Sequence, residues 1–204
     1  MTESEFAVLN TIVLKKMTRA AVVADLTGLP LADVNATVAT LEGEGAIFRM
    51  DADVMVTETG TAMAKDSAGQ MYAQLRDDPD IERWHTRFEP LNRQLLRAIT
   101  SWQTIDVGGA RVPNEHADAE YDEKVRSQID AIVTKMGRLL DELGAKVPRL
   151  LRYRERLMDA LARADAGDAR FISDVRVDSI HSIWFEMHED VLLVLGKERN
   201  DAGG

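Results

Sequence analysis

The sequence predicts a mainly α-helical protein in two parts: an N-terminal domain of helices with a short β-hairpin, then a C-terminal helical bundle. Two observations carry this. Beyond about residue 67, apolar residues step by three and four, as in Ile81, Trp84, Phe88, Leu91, Leu95, Ala98 and Trp102, the period of a helix with one buried stripe. Before that, the segments 46–50 and 54–57 alternate apolar and polar residues around Asp51-Ala52-Asp53, as a short hairpin does. A chain of 204 residues can bury a real core. Its charge is −10, with 25 Lys and Arg against 35 Asp and Glu, and it contains no cysteine. Disulfides and thiolate chemistry are therefore excluded.

The N-terminal elements follow in order. Phe6, Leu9, Ile12, Val13 and Met17 recur at helical spacing and give a first helix. Thr18 can cap a second helix carrying Ala21, Val22 and Leu26, which Gly28 terminates. Pro30 suits a first helical turn, so a third helix runs from Leu31 to Glu42 with Val34, Val38 and Leu41 inward. After the hairpin, Thr57 is positioned to cap the next helix through Thr57-Glu58-Thr59-Gly60.

This order resembles the winged helix-turn-helix domains of MarR-type bacterial transcriptional regulators. The resemblance rests on Ala24, the turn at Gly28, the Val34/Val38/Leu41 ladder, Leu41-Glu42-x-x-Gly45 and Thr57-x-x-Gly60, and it covers about a third of the chain. It implies an N-terminal winged helix over 1–66 that binds double-stranded DNA, and a bundle over 67–199 that dimerises and senses an effector. Residues 200–204 then form a disordered tail. Asn35, Thr37 and Thr40 would meet base edges, while Lys15, Lys16, Arg19 and Arg49 would clamp phosphates.

The charge pattern argues the other way. No Lys or Arg lies between Arg19 and Arg49, where Asp25, Asp33, Glu42 and Glu44 stand instead. Residues 1–66 hold 5 basic and 10 acidic side chains, so this segment carries −5 and the remainder −5. Phosphate contacts need cations. The alternative is a winged helix that binds no DNA and docks a protein partner, as a partner or regulator of an enzyme.

In the C-terminal part, Pro90 interrupts the first apolar stripe and predicts a kink or two abutting helices. A helix from Asp118 carries Val125, Ile129, Ile132, Met136, Leu139 and Leu143 up to Gly144. Pro148 opens another that ends near Gly167, and Asp168 can cap a short segment. The last helix carries Val177, Ile180, Trp184, Met187, Val191 and Leu195, with Gly196 as its stop. The link 103–117, with its Gly108-Gly109 turn, reads as an ordered loop over the bundle.

Apolar walls with a few polar groups are how small-molecule sites are built. Trp84, His85, Asn92, Trp102, His116, His181, Trp184, Glu186 and His188 are accordingly the expected effector-site residues. Neither His-x-x-x-His nor Glu-x-x-His occurs in the last helix, so no metal or other cofactor is expected. Nucleophile and phosphate-loop motifs are lacking as well, so the chain reads as a non-enzyme. Segments 84–103 and 174–190 also resemble helical modules of actinobacterial proteins associated with phosphoenolpyruvate-utilising enzymes, through Trp84, Phe88, Pro90-Leu91-Asn92, Trp102-Gln103 and Trp184-Phe185-Glu186-x-His188-Glu189-Asp190. That implies a partner or regulator role. With no bilayer-length apolar run and no signal-peptide layout, the expected setting is a cytoplasmic homodimer without membrane association.

Overall fold

The computed structural model describes residues 1–198. It is mainly helical and forms two compact units, Met1–Asp78 with Glu186–Gly204, and Pro79–Phe185. The expected boundary after residue 66 falls inside a helix, and residues 186–198 join the N-terminal unit. The expected tail, 200–204, lies outside the described residues. Among the described residues no helix is long and apolar enough to cross a membrane.

The first unit contains α1 (Glu3–Lys15), β1 (Met17–Thr18), α2 (Ala20–Thr27), α3 (Leu31–Gly43), β2 (Ile47–Met50), β3 (Asp53–Val56), α4 (Glu58–Met71) and α5 (Ala73–Arg76). Thr2 and Glu5 start α1 with a reciprocal capping box. Gly28, at φ 72°, ends α2 by donating its N–H to the Ala24 carbonyl at 2.8 Å. Thr18 does not cap α2. It lies in β1 opposite Val54, and Arg19 holds the capping position without a side-chain capping bond. The sheet is antiparallel in the order β1-β3-β2. Its inward residues Ile47 and Val54 join Val8, Leu9, Ile12, Val23, Val34, Val38 and Leu41 in one core.

Two local devices close this unit. The Thr57 hydroxyl accepts from the Gly60 N–H at 3.1 Å and lies 2.9 Å from the Ala46 carbonyl, so α4 starts against the end of α3. Arg76 donates Nε to the Val194 carbonyl at 3.0 Å and Nη2 to that of Leu193 at 2.8 Å, which caps the last helix, α10 (Ile180–Leu195). Arg76→Ala should therefore lower stability by about 1–2 kcal/mol in urea unfolding, since two carbonyls lose a charged donor. An unchanged midpoint would show that solvent replaces the guanidinium.

The second unit contains α6 (Pro79–Gln103), β4 (Thr104–Val107), β5 (Ala110–Pro113), α7 (Ala119–Gly144), a 3₁₀ turn (Pro148–Leu150), α8 (Leu151–Asp165), α9 (Arg170–Ser173) and the first six residues of α10. α6 packs on α7, and α7 on α8. Of the kink or two abutting helices expected at Pro90, the division into two helices does not occur, because α6 continues through it. Proline loses one backbone bond there, but Phe88 before it and Leu95 after it are both fully buried and hold the two turns on one side.

The link after α6, expected as an ordered loop, contains a hairpin of β4 and β5. Gly108 and Gly109, at φ 64° and 87°, form its two-residue turn, a left-handed pair suited to the strand twist. Asp118 then caps α7 by accepting from the N–H groups of Glu120 and Tyr121. The last helix starts at Ile180, three residues later than Val177.

Candidate interaction surface

The packing of α3 decides what the first unit offers a partner. Val34, Val38 and Leu41 are buried, which leaves Asp33, Asn35, Ala36, Ala39, Thr40 and Glu42 exposed. The exposed set includes two carboxylates and no cation. Thr40 donates its hydroxyl to the Ala36 carbonyl at 3.2 Å. Thr37 and Thr40 line a recess of about 300 Å³ with Glu5, Leu41, Glu44 and Met63, and Asn35 stands outside that recess. The three residues expected at base edges are thus not one strip.

Three of the four expected phosphate clamps are occupied. Arg49 Nε lies 2.9 Å from Glu42 Oε2, Arg19 Nε lies 2.9 Å from Asp53 Oδ1, and Lys15 Nζ lies 2.6 Å from Glu186 Oε1. Lys15 and Glu186 are only 22% and 10% exposed, so this pair is part of the packing. Lys16 is exposed, at the C-terminal end of α1 with φ 63°. Exposed pairs are individually weak, about 0–1 kcal/mol. Their importance is positional, since Glu42 and Asp53 would accompany Arg49 and Arg19 to any phosphate.

The wider field agrees with the pairs. By sequence the first unit holds 8 Lys and Arg against 17 Asp and Glu, a charge of −9, and the second holds 17 against 18, or −1. The equal sharing inferred from a boundary at residue 66 is therefore replaced by concentration in one unit. Residues 76–78 and 186–204 account for the difference. Compared with known families, curated proteins and solved structures, the chain finds no match. Its surface chemistry has to speak for itself.

The sheet's outer face is the feature that sequence reading missed. β1, β3 and β2 align Met17, Met55 and Phe48 across three strands, and Met50 follows on the same side of the pleat. Met17, Phe48 and Met50 are 48%, 44% and 50% exposed. The available signal was apolar residues on both phases of β2, Ile47 inward and Phe48 and Met50 outward.

Among the described residues, the expected effector-site side chains are engaged as follows. Trp84 is buried, stacks on Phe88 at 5.2 Å and donates its indole N–H to the Leu139 carbonyl at 2.7 Å. Trp184 donates to Asn92 Oδ1 at 2.9 Å, and both are buried. His85 Nε2 lies 3.4 Å from Glu89 Oε1. Trp102 packs on His116 at 4.5 Å, and Asp122 bonds to the His116 ring at 3.0 Å and to Asn114 Nδ2 at 2.9 Å. Glu186 and His188 belong to the first unit, both buried. A cleft of about 560 Å³ lies between the start of α6 and the end of α7, rimmed by Arg83, Arg87 and Lys146, and of the nine residues it touches only Trp84. Among the described residues no cluster of three His, Asp or Glu could hold a metal.

His181 is half-buried, and burial pushes its imidazole below the ordinary value of about 6.5. The unfolded chain therefore binds the proton more readily, so stability should fall as pH drops below about 6.5. His181→Asn should flatten the stability–pH slope below about pH 6.5, read by urea unfolding. An unaltered slope would place the proton linkage elsewhere.

Proposed function

We propose that the first unit is a winged helix that docks a cationic protein partner instead of duplex DNA, making the chain a partner or regulator of another protein. The order α1, β1, α2, α3, β2, β3 supports the winged-helix reading, with α3 in the place of a recognition helix and β2–β3 as the wing. One observation carries the functional step: Arg49, Arg19 and Lys15 already engage Glu42, Asp53 and Glu186, inside a unit of charge −9. A DNA-binding face needs the opposite field, because affinity for phosphate comes largely from counterion release by unpaired cations. The second unit, near neutrality, is a bundle whose tryptophans support its core. It serves as the structural body of the module, and dimerisation and effector binding are not needed for this role.

The competing reading is a transcriptional regulator reading operator half-sites through α3. Binding of labelled duplexes from the gene's own upstream region separates the two. At about 50 mM salt the full chain should leave their anisotropy unchanged. A shift that weakens steeply towards about 200 mM salt would overturn the docking role in favour of DNA.

A further inference from the structure

The outer face of the first unit's sheet sets Met17, Phe48 and Met50 in water around a half-buried Met55, while Thr18, Ile47 and Val54 on the opposite phase are buried. Core packing cannot account for them. Methionine is unbranched and polarizable, so a methionine-lined surface reshapes around a partner's side chains. Such surfaces accept the apolar side of amphipathic helices, whose anchors repeat at three and four residues.

The charge around the row selects the kind of helix. At the hairpin tip Asp51 and Asp53 flank Met50; the nearby cations Arg19 and Arg49 are held by Asp53 and Glu42, Lys16 stands beside Met17, and the whole unit carries −9. A second copy of the chain would bring the same charge and be repelled. Duplex DNA and anionic lipid would be repelled for the same reason. A segment rich in Lys and Arg is drawn in, and an apolar stripe on that segment satisfies the row.

We propose that the outward sheet face binds a basic amphipathic helix of a partner protein, with its apolar stripe on Met17, Met55, Phe48 and Met50 and its cations towards the acidic side chains of the first unit. This rests on the protein-docking reading above and names its surface and its partner.

The test uses the full chain and a labelled synthetic peptide of about 18 residues, with leucine on one face and lysine on the other. A leucine–glutamate peptide of the same pattern is the control. The lysine peptide should bind and shift the methyl resonances of Met17, Met50 and Met55, while the glutamate peptide should not. Phe48→Ser with Met50→Ser should weaken the lysine peptide about tenfold or more. Both replaced side chains are solvent-exposed, so an unchanged circular dichroism melt is expected to accompany the loss. Failure of the lysine peptide to bind, or equal binding of the glutamate peptide, would overturn the proposal. Full affinity in the double variant would overturn this surface while leaving a cationic partner in place. Duplex binding without peptide binding would remove the protein-docking reading itself.

Discussion

Trp184→Ala is expected to destabilise the protein by about 3–5 kcal/mol, whereas Trp184→Phe should lose only about 1–2 kcal/mol. The indole is 2% exposed and its N–H reaches Asn92 Oδ1 at 2.9 Å. Truncation to alanine removes a buried indole, leaves a cavity where α10 meets α6, and strands the Asn92 oxygen in a buried setting. Phenylalanine restores most of the volume but not the donor, so its deficit isolates the hydrogen bond. Urea unfolding of the full chain reads both values. The comparison decides what the tryptophans are for. Residues that line an open, ligand-free site lose little when truncated, so a loss below about 1 kcal/mol for Trp184→Ala would return Trp184 and Asn92 to an effector site.

Gly60→Ala should lower stability by about 2–3 kcal/mol, although alanine is normally the better helix former. A Cβ at this position would overlap the Ala46 carbonyl, which is backbone and cannot rotate away. The same carbonyl accepts the Thr57 N–H at 3.0 Å and lies beside the Thr57 hydroxyl, which in turn receives the Gly60 N–H. Pushing α4 outward would thus strain the cap as well as the packing. Gly43→Ala is the control. A Cβ added there would meet nothing within 4 Å, so that substitution should be neutral or stabilise by up to about 1 kcal/mol. Equal effects at the two positions would refute the close approach.

Much of the helical framework could be read from residue order. The Val34/Val38/Leu41 ladder placed α3, Gly28 marked the end of α2, and Thr57 marked the start of α4, because each is a local signal. The hairpin β4–β5 was also encoded locally, by two glycines between apolar residues, but the length of the link suggested a loop. The continuity of α6 through Pro90 was hidden for a different reason. The backbone cost of the proline is local, while the burial of Phe88 and Leu95 that offsets it is tertiary.

The surface was harder to read than the fold. Arg49 and Glu42 are seven residues apart, Arg19 and Asp53 are 34 apart, and Lys15 pairs with a residue near the other end of the chain. No spacing rule reveals such pairs, so the four cations read as clamps. The joining of residues 186–198 to the N-terminal unit was equally invisible, and with residues 76–78 it moved the charge from −5 to −9. Periodicity did turn the tryptophans inward. It could not tell a core with satisfied indoles from a pocket awaiting a ligand, because that depends on Leu139 and Asn92 being within reach.

The most direct test of an acidic, protein-docking first unit is a pair of NMR titrations of the full chain at about 50 mM salt, one with upstream duplex DNA and one with the leucine–lysine peptide. The predicted result is movement of the Met17, Met50 and Met55 methyl signals with the peptide, and no movement of the Asn35, Thr37 and Thr40 amides or the Arg49 guanidinium with the duplex. Shifts at those α3 and Arg49 signals on adding duplex, lost again at higher salt, would contradict it.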